Sequence, residues 1–147
     1  MISSIERNMH ALRVKQPQGR QAETISDFIA CIGPVQHADR QMLHMLTLTD
    51  DERLIDAHLV AIGSVSEVGV HPREVLRYAL YDSASQIVLI VNHPSGTPTP
   101  SPEEIKAAET IDEAARIMGI HLAEYLIVSR GGNHRLSAHL RNNDLPF

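Results

Sequence analysis

The chain carries one cysteine, Cys31, in 147 residues. A lone thiol cannot close an intramolecular disulfide, and without a second cysteine there is no thiolate-rich zinc site. Any metal would have to be held by His, Asp and Glu. No run of 18 or more apolar residues occurs, which excludes a membrane-spanning helix, and the opening "MISSIERNMHALRVKQPQGR" lacks the apolar core of a signal peptide. The address expected from these absences is the cytoplasm. Clustered Lys and Arg are also scarce. A net charge of −5 and a pI near 5.9 argue against broad electrostatic binding to a phosphate backbone, so direct nucleic-acid binding is not expected. The basic stretch "RVKQPQGR" reads as part of a solvated tail. There is no internal repeat and no low-complexity segment.

What is present fits one domain. The length suffices for a sizeable core, and 43% of residues are hydrophobic. Residues 1–24 read as a polar N-terminal tail and residues 25–147 as the domain. "ETISDFIACIG" spaces Ile25, Phe28, Ile29 and Ile32 for a helix that ends on Gly33. "QMLHMLTLT" and "RLIDAHLVAIGS", separated by "DDE", predict an antiparallel strand pair. "HPREVLRYALYDSA" predicts a second helix, with proline near its start. "QIVLIV" is continuously apolar and β-branched, the pattern of a strand buried on both faces. Ile105, Ala108, Ile111, Ala115 and Met118 predict a third helix stopped by Gly119. "HLAEYLIVSR" and "HRLSAHL", joined by "GGN", predict a hairpin. The expected class is α/β, a mixed central sheet covered by helices.

Nine histidines are scattered, with no H-E-x-x-H pair among them. The densest chemistry lies in "VNHPSGTPTPSPEEI", Val91 to Ile105, between the apolar strand and the third helix. Two readings stand side by side here. Ser101 can cap the helix, Pro102 suits its first position, and Glu104 sits where a capping box places its acid. His93, followed by Pro94, Ser95 and Gly96, can simply shape the turn.

The second reading comes from a resemblance. "VGVHPREVLRYALYDSASQIVLIVNHPSGTPTPSPEEI" followed by "MGIHLAEYLIVSRGG" resembles the catalytic domain of RadC-like proteins, members of the JAB/MPN superfamily that carry the JAMM zinc-hydrolase motif. The likeness covers Asp39 to Leu136 and is closest to short members without a helix-hairpin-helix segment. It implies a single JAB/MPN-like (cytidine-deaminase-like) domain. It also implies a zinc ion held by an H-x-H pair and an aspartate, with a bound water, a glutamate as general base and a serine that steadies the oxyanion. In the wider superfamily the bond cut is often an isopeptide or peptide bond of a ubiquitin-like protein.

Carried onto this chain, the pattern is incomplete. Val91 stands where the family's H-N-H-P-S-G has its first histidine, and a valine cannot bind zinc. His93 remains as the second histidine. The family's aspartate in P-S-x-x-D falls on Glu104, and its serine on Ser101. The catalytic glutamate aligns with Gln41, whose amide is no base; losing a positioned base lowers rates by roughly 10²–10⁴. The family's Asp-His in D-H-L-I becomes Glu124-Tyr125. His71 reads as a hydrogen-bonding residue at a loop-to-helix junction. His44 alternates to the face opposite Gln41, and Glu67 and Glu74 are nearby carboxylates that stand as candidate replacements for the base. The resemblance therefore implies zinc for the family, held at most weakly here by His93 and Glu104. The expected function is a catalytically impaired or inactive member that binds a protein or peptide segment. The alternatives are a zinc-dependent peptidase or isopeptidase with rearranged ligands, or an accessory protein of DNA repair or mobile elements.

Overall fold

A computed structural model describes residues 19–35, 38–63, 70–136 and 140. Eight elements follow in chain order: α1 (Ile25–Ile32), β1 (Met42–Leu48), β2 (Leu54–Ile62), α2 (Pro72–Tyr81), β3 (Gln86–Asn92), α3 (Pro102–Ile117), β4 (His121–Ser129) and β5 (Gly132–Arg135). The strands form one sheet in the order β2-β1-β3-β4-β5, so the apolar run of β3 lies at its centre. β1 pairs antiparallel with both β2 and β3, β3 and β4 run parallel, and β5 returns antiparallel on β4. The mixed sheet covered by helices is the architecture expected from the alternating pattern.

Each helix starts where its sequence provides a cap. Thr24 accepts a hydrogen bond from the Asp27 N–H, and the Asp27 carboxylate accepts one from the Thr24 N–H, closing a capping box at α1. Before α2, His71 Nδ1 accepts from the Arg73 N–H, and Pro72 follows. This is the junction role expected of His71.

The sheet has an apolar core on each face. Leu43, Met45, Ile87, Leu89, Val91 and Ile127 pack under α2 and α3, against Val75, Leu76, Ala108 and Ile111. Leu46, Leu48, Val88, Ile90, Leu126 and Val128 pack under α1, against Phe28 and Cys31. Strand alternation thus divides β3 cleanly between two layers.

Two expectations shift. Of the segment read as a tail, residues 13–18 of "RVKQPQGR" lie outside the described residues, but residues 19–24 are tied to the sheet. Ala22 is buried and donates to the carbonyl of Glu52, Gln21 bridges Arg53, and the Leu54 N–H donates to the carbonyl of Arg20. The folded unit therefore includes residues before Ile25. The closing hairpin also turns earlier than "GGN" suggests. Ser129 pairs with Gly132, so Arg130 and Gly131 form the loop, and Gly132 and Asn133 already belong to β5.

Candidate functional site

The site lies outside the carboxyl end of β3, the customary ligand-binding edge of a β-α-β unit. Here β3 ends at Asn92, and the His93 N–H still bonds to the carbonyl of Val128 on β4. The chain then turns, with the Gly96 N–H donating to the carbonyl of His93 and Gly96 at φ 90°, where a side chain would be strained. A second glycine holds this loop against the β4–β5 hairpin. The Gly131 N–H donates to the carbonyl of Gly96 at 3.0 Å, and a Cβ built on Gly131 would sit 2.4 Å from that oxygen. Arg130 also donates to the carbonyl of Pro94.

After the loop, Ser101 caps α3: its Oγ accepts from the Glu104 N–H at 3.1 Å. The other half of the expected capping box is absent. The Glu104 carboxylate does not reach back to the Ser101 N–H but points inward and is buried. There its Oε1 and Oε2 lie 2.9 and 3.1 Å from His93 Nε2. His93 Nδ1 lies 3.0 Å from the carbonyl of Thr97. Both ring nitrogens thus face acceptors, an arrangement that an imidazolium satisfies completely by donating at each. The bond to Glu104 is the main cause holding the His93 pKa above its ordinary value, against the opposing effect of burial.

Gln41 precedes β1 and is placed by Asn92. Asn92 Nδ2 donates to the carbonyl of Arg40, and its Oδ1 accepts from the Met42 N–H, each at 2.7 Å. Gln41, His93, Ser101 and Glu104 line one pocket of about 280 Å³, together with Pro94 and Ser95. Gln41, His93, Ser101 and Glu104, all singled out from the sequence, therefore meet.

Val91 does not join them as a polar group. It is fully buried in the core under α2 and α3, paired across the sheet with Leu43 and Ile127. In its place, Tyr125 on β4 brings a buried hydroxyl towards Glu104. That hydroxyl has no hydrogen-bond partner of good geometry, and burial, with the neighbouring carboxylate, pushes its pKa well above the usual phenol value. Tyr125 occupies the position of the histidine in the D-H-L-I pattern. Glu124 lies beside it in sequence but takes the guanidinium of Arg135 as its partner, at 2.8 Å.

Other candidates are elsewhere. His44 pairs with Ile90 across the sheet, which alternation assigns to the α1 face, and its Nδ1 is buried without a partner. Glu74 lies on α2 beside Arg73, and Glu67 lies outside the described residues. Among the described residues no third His, Cys, Asp or Glu joins His93 and Glu104 in a metal-ligating group. Catalytic zinc takes three protein ligands and a water. The donors present among the described residues are two, one short of that set, so they do not fit such an ion. A different group, Asp56, His58 and Asp82, has its ligand atoms within 4.8 Å of one another. It was not apparent in the sequence, where Asp82 stands 24 residues from His58.

No helix among the described residues is long and apolar enough to cross a membrane. Residues 21–142 match the family model of the RadC-like JAB domain. The chain is 36% identical over 96 residues to a UPF0758 protein of Symbiobacterium thermophilum, an overlap of 65% of this chain and 41% of the relative. It is 39% identical over 94 residues to a UPF0758 protein of Syntrophomonas wolfei, covering 64% and 40%. A third, of Pelobacter propionicus, is 36% identical over 124 residues, covering 78% and 53%. The chain thus spans about half the length of these curated relatives or less. The JAB family is generally zinc-associated. With its mixed five-stranded sheet, helices α1 to α3 among the described residues and a family match across residues 21–142, the chain belongs to the RadC-like JAB family.

Proposed function

We propose that this domain keeps the JAB scaffold without the family's zinc chemistry, and that the pocket beside α3 binds a protein or peptide segment. The observation that carries the reading is that His93 and Glu104 bond directly to one another with no third metal-ligating side chain beside them among the described residues. An imidazolium has no lone pair for a metal, and Glu104 already shares its charge with the ring. Gln41 supports the same reading, because an amide in the pocket offers a hydrogen bond but takes no proton. Val91 completes it by filling the first ligand position with a core side chain. A pocket lined by an amide, a hydroxyl and the backbone of a proline-rich loop suits the polar groups of an extended peptide.

The first experiment is zinc content per chain, by elemental analysis of protein prepared without chelator or metal-affinity steps, beside the His93→Gln variant. The reading expects the two to carry the same amount. Zinc that disappears with His93 would overturn it and favour a hydrolase with rearranged ligands. Peptides selected on the folded protein should then shift the amide signals of Gln41, His93 and Ser101 in NMR spectra. Their cleavage, or shifts confined to other surfaces, would count against a binding role for this pocket.

A further inference from the structure

A second polar cluster lies towards the other end of the same sheet. Asp56 and His58 stand two residues apart on the edge strand β2 and so share a face, while Asp82 caps the C-terminus of α2. His58 Nε2 is 2.6 Å from Asp82 Oδ2, and Thr47 on β1 donates to the same oxygen at 2.7 Å. Thr47 Oγ1 also accepts from the Asp56 N–H at 3.1 Å. The Asp82 side chain is 1% exposed and residue Asp56 7% exposed. Asp56 Oδ1 accepts from the Ala57 N–H, whereas its other oxygen accepts no hydrogen bond from the described residues.

Two carboxylates buried this close repel unless positive charge or a proton lies between them. The C-terminal end of α2 adds its own negative potential at Asp82, which favours a cation further. The imidazole is held in place: its ring stacks on Tyr78 at 4.7 Å between centroids, and the Arg77 guanidinium lies over the same tyrosine. His58 is the member most open to solvent, with a side chain 17% exposed, so an ion has an entry path past it.

We propose that Asp56, His58 and Asp82 form a divalent transition-metal site that is independent of the His93–Glu104 pocket. One imidazole and two carboxylates are three ligands, the number that a four-coordinate zinc site with one open position uses. The imidazole favours zinc and its neighbours in the first transition row over magnesium or calcium. On binding, His58 Nε2 would exchange its bond to Asp82 for one to the metal.

The test uses the full chain, stripped by chelator and dialysed, with Zn²⁺ alone as probe. Titration calorimetry should give one zinc per chain for the wild type and for His93→Gln. His58→Gln and Asp56→Asn, with folding checked by circular dichroism, should weaken binding by at least the about 10–100-fold that loss of a supporting residue already causes. A measurement on the wild type covers the case of a variant that does not fold. Imidazole nitrogen shifts on adding zinc should appear at His58 and leave His93 unchanged. Absence of stoichiometric zinc, undiminished binding in both folded variants, or shifts at His93 alone would each overturn the site. Zinc retained by His93→Gln and lost by His58→Gln would support it and leave the reading of the pocket intact.

Discussion

His93 and Glu104, eleven residues apart in the chain, meet with both carboxylate oxygens within 3.1 Å of one imidazole nitrogen. Their side chains are 13% and 4% exposed, so the pair is largely out of water. Removing one member strands the other. His93→Ala is expected to lower stability at neutral pH by about 3–5 kcal/mol, as for a buried ion pair that loses a partner. Replacing both residues by leucine is expected to recover most of that loss. Urea denaturation of the two variants checks this; a single variant within 0.5 kcal/mol of the wild type, on the order of an ordinary surface change, would contradict it.

The pair also sets a pH dependence. Because the fold raises the His93 pKa, its stabilisation is fully present below the unfolded value of about 6.5 and is lost as pH rises through the folded value. The stability difference between wild type and His93→Gln should therefore be largest in mild acid and shrink towards alkaline pH. Comparing the two proteins cancels the titration of the other histidines. A difference that grows with pH would mean that the ring is held neutral.

Tyr125 carries a buried hydroxyl without a hydrogen-bond partner, an arrangement that ordinarily costs about 1–3 kcal/mol. Tyr125→Phe keeps the ring and removes the penalty. The expected outcome is a melting temperature equal to or above that of the wild type. A marked fall would show that the hydroxyl is bonded in solution, with the neighbouring Glu104 carboxylate the first partner to examine.

Gly131 is where the pocket loop and the hairpin come closest. An alanine there would place a methyl 2.4 Å from the carbonyl oxygen of Gly96, so backbone must move. Gly131→Ala is expected to destabilise by about 1–3 kcal/mol, as overpacking does. It should also shift the NMR signals of residues 93–96. Unchanged loop signals would show that the hairpin alone yields.

Restoring the family pattern is a stricter test of the site's geometry. Val91→His, Gln41→Glu and Glu104→Asp together should create zinc binding that His93→Gln then abolishes. The aspartate is one methylene shorter, which releases His93 from its present partner. A folded triple variant that binds no additional zinc would mean that these positions no longer share one coordination sphere.

Much of this was legible in the residues. His71-Pro72 and Ser101-Pro102 marked the starts of α2 and α3 because capping is local chemistry, and the apolar run of β3 marked the sheet centre. The capping pattern did not fix the direction of the Glu104 carboxylate, which only the resemblance set beside His93. Ser101 needs only the Glu104 N–H to cap the helix, which leaves the side chain free to turn towards whatever the sheet presents. The roles of Asn92 and Tyr125 depend on which strands are neighbours, and Asp56, His58 and Asp82 are brought together only when α2 packs over β1 and β2. Resemblance compared position with position, whereas these contacts arise between strands.

The Asn92 clasp has an evolutionary consequence. By fixing the backbone on both sides of Gln41, it keeps that position ready for a general base whichever side chain it carries. Glutamine and glutamate codons differ by a single nucleotide, so an exchange there is one step and easily reversed. Val91 is different: its codon is two changes from histidine, and the core has closed around it. Lineages of this protein can therefore exchange amide and carboxylate at position 41 in one step, while a histidine at position 91 lies behind two mutations and a packed core.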